Sequence, residues 1–217
     1  MSTEFYNNIR DAYLVALELW PDCNPFQPGF IRESIMADSL NHTLILRKKG
    51  KDAKDEEGAP VEYKTWKHPY RSKLNVQSST GLARHFDPKC KMWYFGKFEP
   101  PFKLVGLWSI PSPLVKKKCE DFMQRNPKEG HITIDFSEKW VKDVGIELEV
   151  GKDMQNRFVI ALSAAVEIAD SSYGVKDITL KGRVREILIA EILNHEIIIE
   201  SMQPDALDSD GHLYEYL

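Results

Sequence analysis

Apolar positions recur along this chain at two periods, and the period sorts the chain into elements. Over residues 102–110 the pattern alternates, with Phe102, Leu104, Trp108 and Ile110 facing one way and Lys103, Val105, Leu107 and Ser109 the other, which predicts a central strand. The stretch before it, Met92-Trp93-Tyr94-Phe95-Gly96-Lys97-Phe98, carries the densest aromatic surface in the sequence, and Gly96 with Pro100-Pro101 predicts a stiff turn between the two. Residues 43–47 and 61–66 read as two further strands. Later, Ile132, Ile134 and Phe136 alternate, and so do Val144, Ile146, Leu148 and Val150. Phe158, Ile160, Leu162, Ala164, Val166 and Ile168 again take every second place, so residues 144–168 predict a long antiparallel hairpin, with a further short strand at 177–181.

Helical spacing marks fewer segments. Tyr6, Ile9, Tyr13, Leu17 and Trp20 form one stripe on a helix that Ser2 or Thr3 can cap and Pro21 ends. Short helices are expected over residues 30–40 and from Ser79 or Thr80 to Phe86. Ser112-Pro113 opens a clearer one, with Leu114, Val115, Cys119, Phe122 and Met123 on a shared face. Residues 184–199 fit either a helix or a strand as far as Leu193, then a turn at Asn194-His195 and a strand, and from Pro204 the chain reads as a loose acidic tail. The fold class expected is α+β: a mainly antiparallel curled sheet with an N-terminal helix and one or two further helices packed on it. Residues 1–41 would form the helix and a Pro-rich connection, 42–203 the β-rich domain, and 204–217 the tail.

With 217 residues and a net charge of −4 the chain can bury a substantial core, and it contains no apolar run near the roughly 20 residues of a membrane span, so a cytoplasmic protein is expected. Cys23, Cys90 and Cys119 have no paired spacing for zinc or redox exchange and read as buried thiols. Charge is unevenly spread. Cations gather in the middle of the chain, and Lys64, Lys67, Arg71, Lys73, Lys89 and Lys91 are the candidate contacts for a phosphate-bearing partner, while no Lys or Arg follows Arg185. Residues 48–58 are so rich in charge that a solvated hairpin loop is expected, and residues 67–73, interleaving cations with aromatics, read as an edge strand or a phosphate contact.

No Walker loop, G-x-S-x-G elbow or G-x-G-x-x-G is present, and the six histidines have no metal-ligand spacing. Pro21-Asp22 followed by Glu62-Tyr63-Lys64 on a predicted strand resembles the order found in metal-dependent nucleases; the resemblance implies carboxylates that hold a divalent ion, a lysine that steadies the attacking water, and cleavage of phosphodiesters. A second set, Lys91-Met92-Trp93-Tyr94-Phe95-Gly96, Pro101-Phe102-Lys103 and Ser109-x-Pro111 with His131-Ile132-Thr133-Ile134-Asp135 and residues 144–150, resembles the matrix proteins of rhabdoviruses. That likeness implies self-association, contact with a nucleocapsid and attraction to an anionic membrane surface. The reading favoured on sequence is a non-enzymatic assembly protein without a cofactor or metal. Its expected partners are another copy of the chain, a nucleoprotein or nucleic acid, and a peripheral anionic membrane, and it is placed in the cytoplasm or, on the matrix likeness, in a virion. The alternatives are a nuclease using Asp22, Glu62 and Lys64, and a host-interaction module. The module would bind through a contiguous exposed apolar patch at Trp93, Phe95 and Phe98, and Trp93, Tyr94, Phe95, Phe98, Phe102 and Trp108 together are the candidate aromatic core or interface.

Overall fold

The densest apolar stretch pairs with the alternating one that follows it. In the computed structural model, which describes residues 3–27, 29–46, 50–67, 72–76, 82–126, 132–150, 157–178, 182–199 and 203–216, β5 (Met92–Glu99) and β6 (Lys103–Pro111) run antiparallel, with Trp93 opposite Ile110 and Phe95 opposite Trp108. The turn joining them comprises residues 100–102, and Gly96 lies within β5 rather than in the turn. A Cβ added to Gly96 would come within 2.7 Å of Met36 Sδ on α2 (Phe30–Ser39), so glycine here admits the close approach of helix to strand.

The sheet continues on both sides. β3 (Pro60–Lys67) lies parallel to β5, and β1 (Thr43–Leu44), β2 (Ala53–Lys54) and β8 (Ile146–Leu148) add antiparallel strands to give the order β1-β2-β3-β5-β6-β8. A separate antiparallel pair is made by β4 (Ser72–Val76) and β7 (Ile132–Phe136). Of the edge strand read over 67–73, residues 68–71 lie outside the described residues. So do residues 79–81 of the short helix expected before β5, and what is described of that helix is a single 3-10 turn, Ala83–His85. The molecule is therefore α+β with a mainly antiparallel sheet.

The chain divides into two compact units, one of residues 32–99 and 103–154, the other of residues 1–31, 100–102 and 155–217. In the first, Trp66 stacks with Trp108, Phe86 stacks on Trp93 and Phe95 meets Phe136 edge-on. Helix α3 (Ser112–Arg125) adds Val115 and Cys119 to that core, and α4 (Glu138–Val144) adds Val141. Trp93, Phe95, Phe98, Phe102 and Trp108 are buried, and Tyr94 is half-buried. The exposed aromatic patch expected of a groove-binding module is thus not formed, because the rings that would make it are the core.

In the second unit α1 (Glu4–Leu19) packs on α5 (Arg157–Tyr173). Helix α1 buries Phe5, Ile9, Ala12 and Ala16, whereas Tyr6 and Tyr13 are 44% and 39% exposed. The buried stripe is rotated from the aromatic one because alanines let two helix backbones approach, and the tyrosines, with hydroxyls to solvate, lie at its margin. Residues 157–173 are a helix and not the second arm of a hairpin: Phe158, Leu162, Ala165, Val166 and Ala169 are buried at helical spacing, and Ile160, inward on the strand reading, is 58% exposed. A glycine- and proline-free run rich in alanine favours helix more than its accidental alternation favours strand. The expected first arm is likewise split between α4 and the short β8.

Asp177 and Ile178 are not in a strand, and residues 179–181 lie outside the described residues. Helix α6 (Arg183–Leu193) ends at Asn194 in the left-handed conformation (φ 56). The segment from Pro204, expected to be loose, instead forms β10 (Ala206–Leu207) and β11 (Leu213–Tyr214), which with β9 (Glu196–Ile197) make a three-stranded sheet. Asp208 organises its turn by accepting the backbone N–H groups of Asp210 and His212, each at 2.9 Å. Among the described residues no helix is long and apolar enough to cross a membrane.

Candidate active site

Side chains two apart on a strand share a face, so β3 turns Glu62 and Lys64 the same way. Neither reaches open solvent: the side chains are 10% and 17% exposed, and Lys64 Nζ donates to Glu62 Oε1 at 2.7 Å. The other oxygen of Glu62 is held by a second lysine. Lys51 Nζ donates to Glu62 Oε2 at 3.1 Å and to the backbone carbonyl of His85 at 2.6 Å. Both ammonium groups lie over the ring of Trp93, at 5.2 and 5.3 Å from its centre, and the Trp93 indole N–H is buried without a hydrogen-bond partner among the described residues.

Asp52 joins this pair from the neighbouring strand. The register sets Ala53 opposite Val61, and continuing it by one residue sets Asp52 opposite Glu62, where directly paired side chains share a face. The carboxylate is fixed there because Asp52 Oδ2 accepts the backbone N–H of Tyr63 at 2.7 Å, between Glu62 and Lys64 in the chain. Glu33 approaches from α2. It sits among the helix's apolar positions, three residues after Phe30 and four before Ala37, and close enough for its charge to be felt by Asp52, Glu62 and Lys64.

These groups set one another's ionisation. Burial, then the charges of Asp52 and Glu62, push the Glu33 carboxyl up to about 7, against the pull of Lys64 and Arg32. Burial and the neighbouring Glu62 raise Asp52 as well, against Lys64, the Tyr63 N–H and Lys51. Burial alone would raise Glu62, but Lys64 and Lys51 together bring it below its ordinary value. Burial opposes the charge on Lys64, yet Glu62 and Asp52 outweigh it and hold the ammonium form more firmly than in water.

A raised carboxyl means that the folded protein binds more protons than the unfolded chain between the two values. The Glu33 contribution to stability therefore falls as pH rises from the unfolded value, 4.5, through the folded one, about 7. Glu33→Gln is expected to flatten that part of the profile and to stabilise the protein at pH 8 relative to pH 5, read by thermal melts across this range. An unchanged slope would mean that Glu33 does not titrate in the cluster.

The sequence-predicted sites fare unequally. Glu62 and Lys64 are adjacent, as the nuclease likeness requires, and Asp22 belongs to the other compact unit. It occupies an exposed turn with φ 66, in the unit of residues 1–31, 100–102 and 155–217, and the carboxylate beside Glu62 is Asp52. Asp52 and Lys51 belong to the charged stretch expected to be a solvated loop. Its apolar anchor is Ala53, which is fully buried in β2 opposite Val61. Among the proposed phosphate contacts, Lys73, Lys89 and Lys91 are exposed, but Lys64 faces inward and is committed to Glu62. Arg71 lies outside the described residues, as does the side chain of Lys67.

Among the described residues, a trio of potential metal ligands with all atoms within 4.8 Å of one another occurs at Asp208, Asp210 and His212, in the turn that Asp208 itself organises. In the buried cluster the lysines are interleaved with the acids. No protein-family model matches this chain, and no curated protein does.

Proposed function

We propose that this chain is a divalent-cation-dependent nuclease that hydrolyses phosphodiester bonds in DNA or RNA at Glu33, Asp52, Glu62 and Lys64. The observation that carries the reading is the attachment of Asp52 to the β3 backbone between Glu62 and Lys64, which sets two carboxylates and a lysine side by side on adjacent strands.

Carboxylate oxygens are the donors a small hard cation takes. The cluster offers carboxylate oxygens in a buried place, where burial first and the neighbouring acids second drive Glu33 and Asp52 toward their protonated forms. Asp52 and Glu62 would hold such an ion. When bound it supplies positive charge against the phosphate oxygens and makes water easier to deprotonate.

The protein groups divide the remaining work. Lys64 keeps its proton, so it acts as a donor that fixes a water or phosphate oxygen and not as the base. Glu62 orients Lys64 through the 2.7 Å contact, and the Tyr63 N–H keeps Asp52 from rotating away. Glu33, with a carboxyl near neutrality, is suited to accept the proton lost by the attacking water. In the step itself the water oxygen bonds to phosphorus, its proton passes to Glu33, the P–O ester bond breaks, and the leaving oxygen takes a proton from solvent.

The test is incubation of purified protein with supercoiled plasmid, linear duplex and single-stranded RNA in Mg2+ or Mn2+. Cutting is expected, with Glu62→Gln slower by about a hundredfold or more. Failure to cut any of the three with either ion would overturn the reading.

A further inference from the structure

We infer that residues 82–91 form a nucleic-acid-binding face, on which Arg84, Lys89 and Lys91 hold the sugar–phosphate backbone of a strand beside the Glu62–Lys64 cluster. The inference deepens the function proposed above by giving the same site a surface that holds its substrate, and it can be measured without a divalent ion and without cutting.

The segment has two sides. Inward, Leu82 and Cys90 are buried, Phe86 stacks on Trp93 with ring centres 5.2 Å apart, and the backbone carbonyl of His85 accepts Lys51 Nζ at 2.6 Å. Lys51 in turn donates to Glu62, so a single side chain links the turn at Ala83–His85 to the cluster. Outward, Arg84, Lys89 and Lys91 are exposed. A stretch that packs its leucine, ring and thiol on one side leaves its long charged side chains in water on the other.

The outer side is cationic and held in place. Residues 82–91 contain these three cations and a single carboxylate, Asp87. That carboxylate is engaged within the turn: its Oδ1 accepts the backbone N–H of Lys89 at 2.8 Å, and the Asp87 carbonyl accepts that of Cys90 at 2.9 Å. The Lys91 carbonyl accepts the backbone N–H of Ser112 at 2.8 Å, which ties the end of the segment to the start of α3. Among the described residues none of the three cations forms an ion pair, whereas Lys51, Lys64, Lys97, Lys116 and Lys142 each do. Unpaired cations on a fixed backbone suit a phosphate chain, since each one that meets a phosphate releases a counterion and no carboxylate has to be displaced first.

A nucleic acid fits this face better than a membrane surface does. Peripheral membrane contact combines cations with apolar side chains that enter the headgroup layer. Here the large apolar groups point inward, and the exposed apolar positions of the segment are Ala83 and Pro88.

The test is fluorescence anisotropy of labelled oligonucleotides about 30 residues long, single-stranded and duplex, in EDTA over a salt series. Wild type is expected to bind. Arg84→Ala/Lys89→Ala/Lys91→Ala is expected to bind about 10–100-fold more weakly at low salt, with the slope of log K against log salt smaller by about two to three. Arg10→Ala/Lys176→Ala/Arg185→Ala removes the same charge from exposed positions in the other compact unit and is expected to stay within about threefold of wild type. Binding by the first variant within about twofold of wild type, an equal loss in the second, or no binding by wild type would each overturn the inference. So would segment-dependent binding to phosphatidylserine vesicles that nucleic acid does not compete. Should the triple variant not fold, Lys89→Ala and Lys91→Ala decide singly, each lowering the slope by about one. Loss of binding in the first variant, with no cutting by wild type in Mg2+ or Mn2+, would keep this face and remove the nuclease. Unchanged binding with cutting intact would do the reverse.

Discussion

Asp52→Asn is expected to abolish divalent-dependent cleavage, by on the order of 10²–10⁴-fold, while Asp22→Asn leaves the rate within about twofold. The two substitutions are chemically identical and each removes one carboxylate. They differ in where the fold puts it. Asp22 lies in an exposed turn, whereas Asp52 is fixed opposite Glu62. Asparagine can still accept the Tyr63 N–H through its amide oxygen, so the hairpin should persist and the loss should be one of chemistry. The pair of variants is to be compared by initial rates at saturating Mn2+, with melting temperatures measured alongside. Loss of activity in Asp22→Asn with a fully active Asp52→Asn would move the site away from β2 and β3 altogether.

The largest effect on stability is expected at Lys64. Lys64→Met leaves Glu33, Asp52 and Glu62 facing one another with only Lys51 to offset them, and breaking a buried pair in this way costs about 3–5 kcal/mol. For a chain of this size that corresponds to a fall in Tm of roughly 6–20 °C. The pH dependence has a definite sign. In the variant the carboxyls move still further up, so the folded form takes on protons as pH falls, and the deficit should be smaller at pH 6 than at pH 8. Thermal melts of wild type and variant at both values give the comparison. A deficit equal at the two values, or absent, would show that Lys64 does not neutralise these acids.

Half of the candidate site was legible. Glu62 and Lys64 are two apart on a strand whose alternation was plain, so their shared face followed from the chain. Glu33 left a fainter signal, a carboxylate on the apolar side of a predicted helix, between Phe30 and Ala37. Asp52 and Lys51 left almost none. Their neighbours are charged, and only the buried Ala53 separates this stretch from an ordinary solvated loop. A single small apolar residue carries little periodicity, so composition dominated and the inward-facing pair was missed.

The helix at residues 157–173 shows the same limit in the fold. Alternation and helical spacing coexist in Phe158, Leu162, Ala165, Val166 and Ala169, and local preference decides between them only when packing partners are known. The rotation of α1 toward Ala12 and Ala16 has a similar cause, since the depth at which a small residue packs depends on the helix facing it.

Taken alone, the amino-acid order determined an α+β class, the strand pair built on Trp93 to Ile110, the Glu62-x-Lys64 face, and the absence of a membrane-spanning run. These are properties of near neighbours, set by backbone periodicity and side-chain chemistry. Tertiary structure alone decided which acid stands beside Glu62, that Lys64 turns inward, and that Lys51 bridges Glu62 to the carbonyl of His85. Those are meetings of residues distant in the chain, and the charge a buried group carries depends on every other charge the fold brings to it.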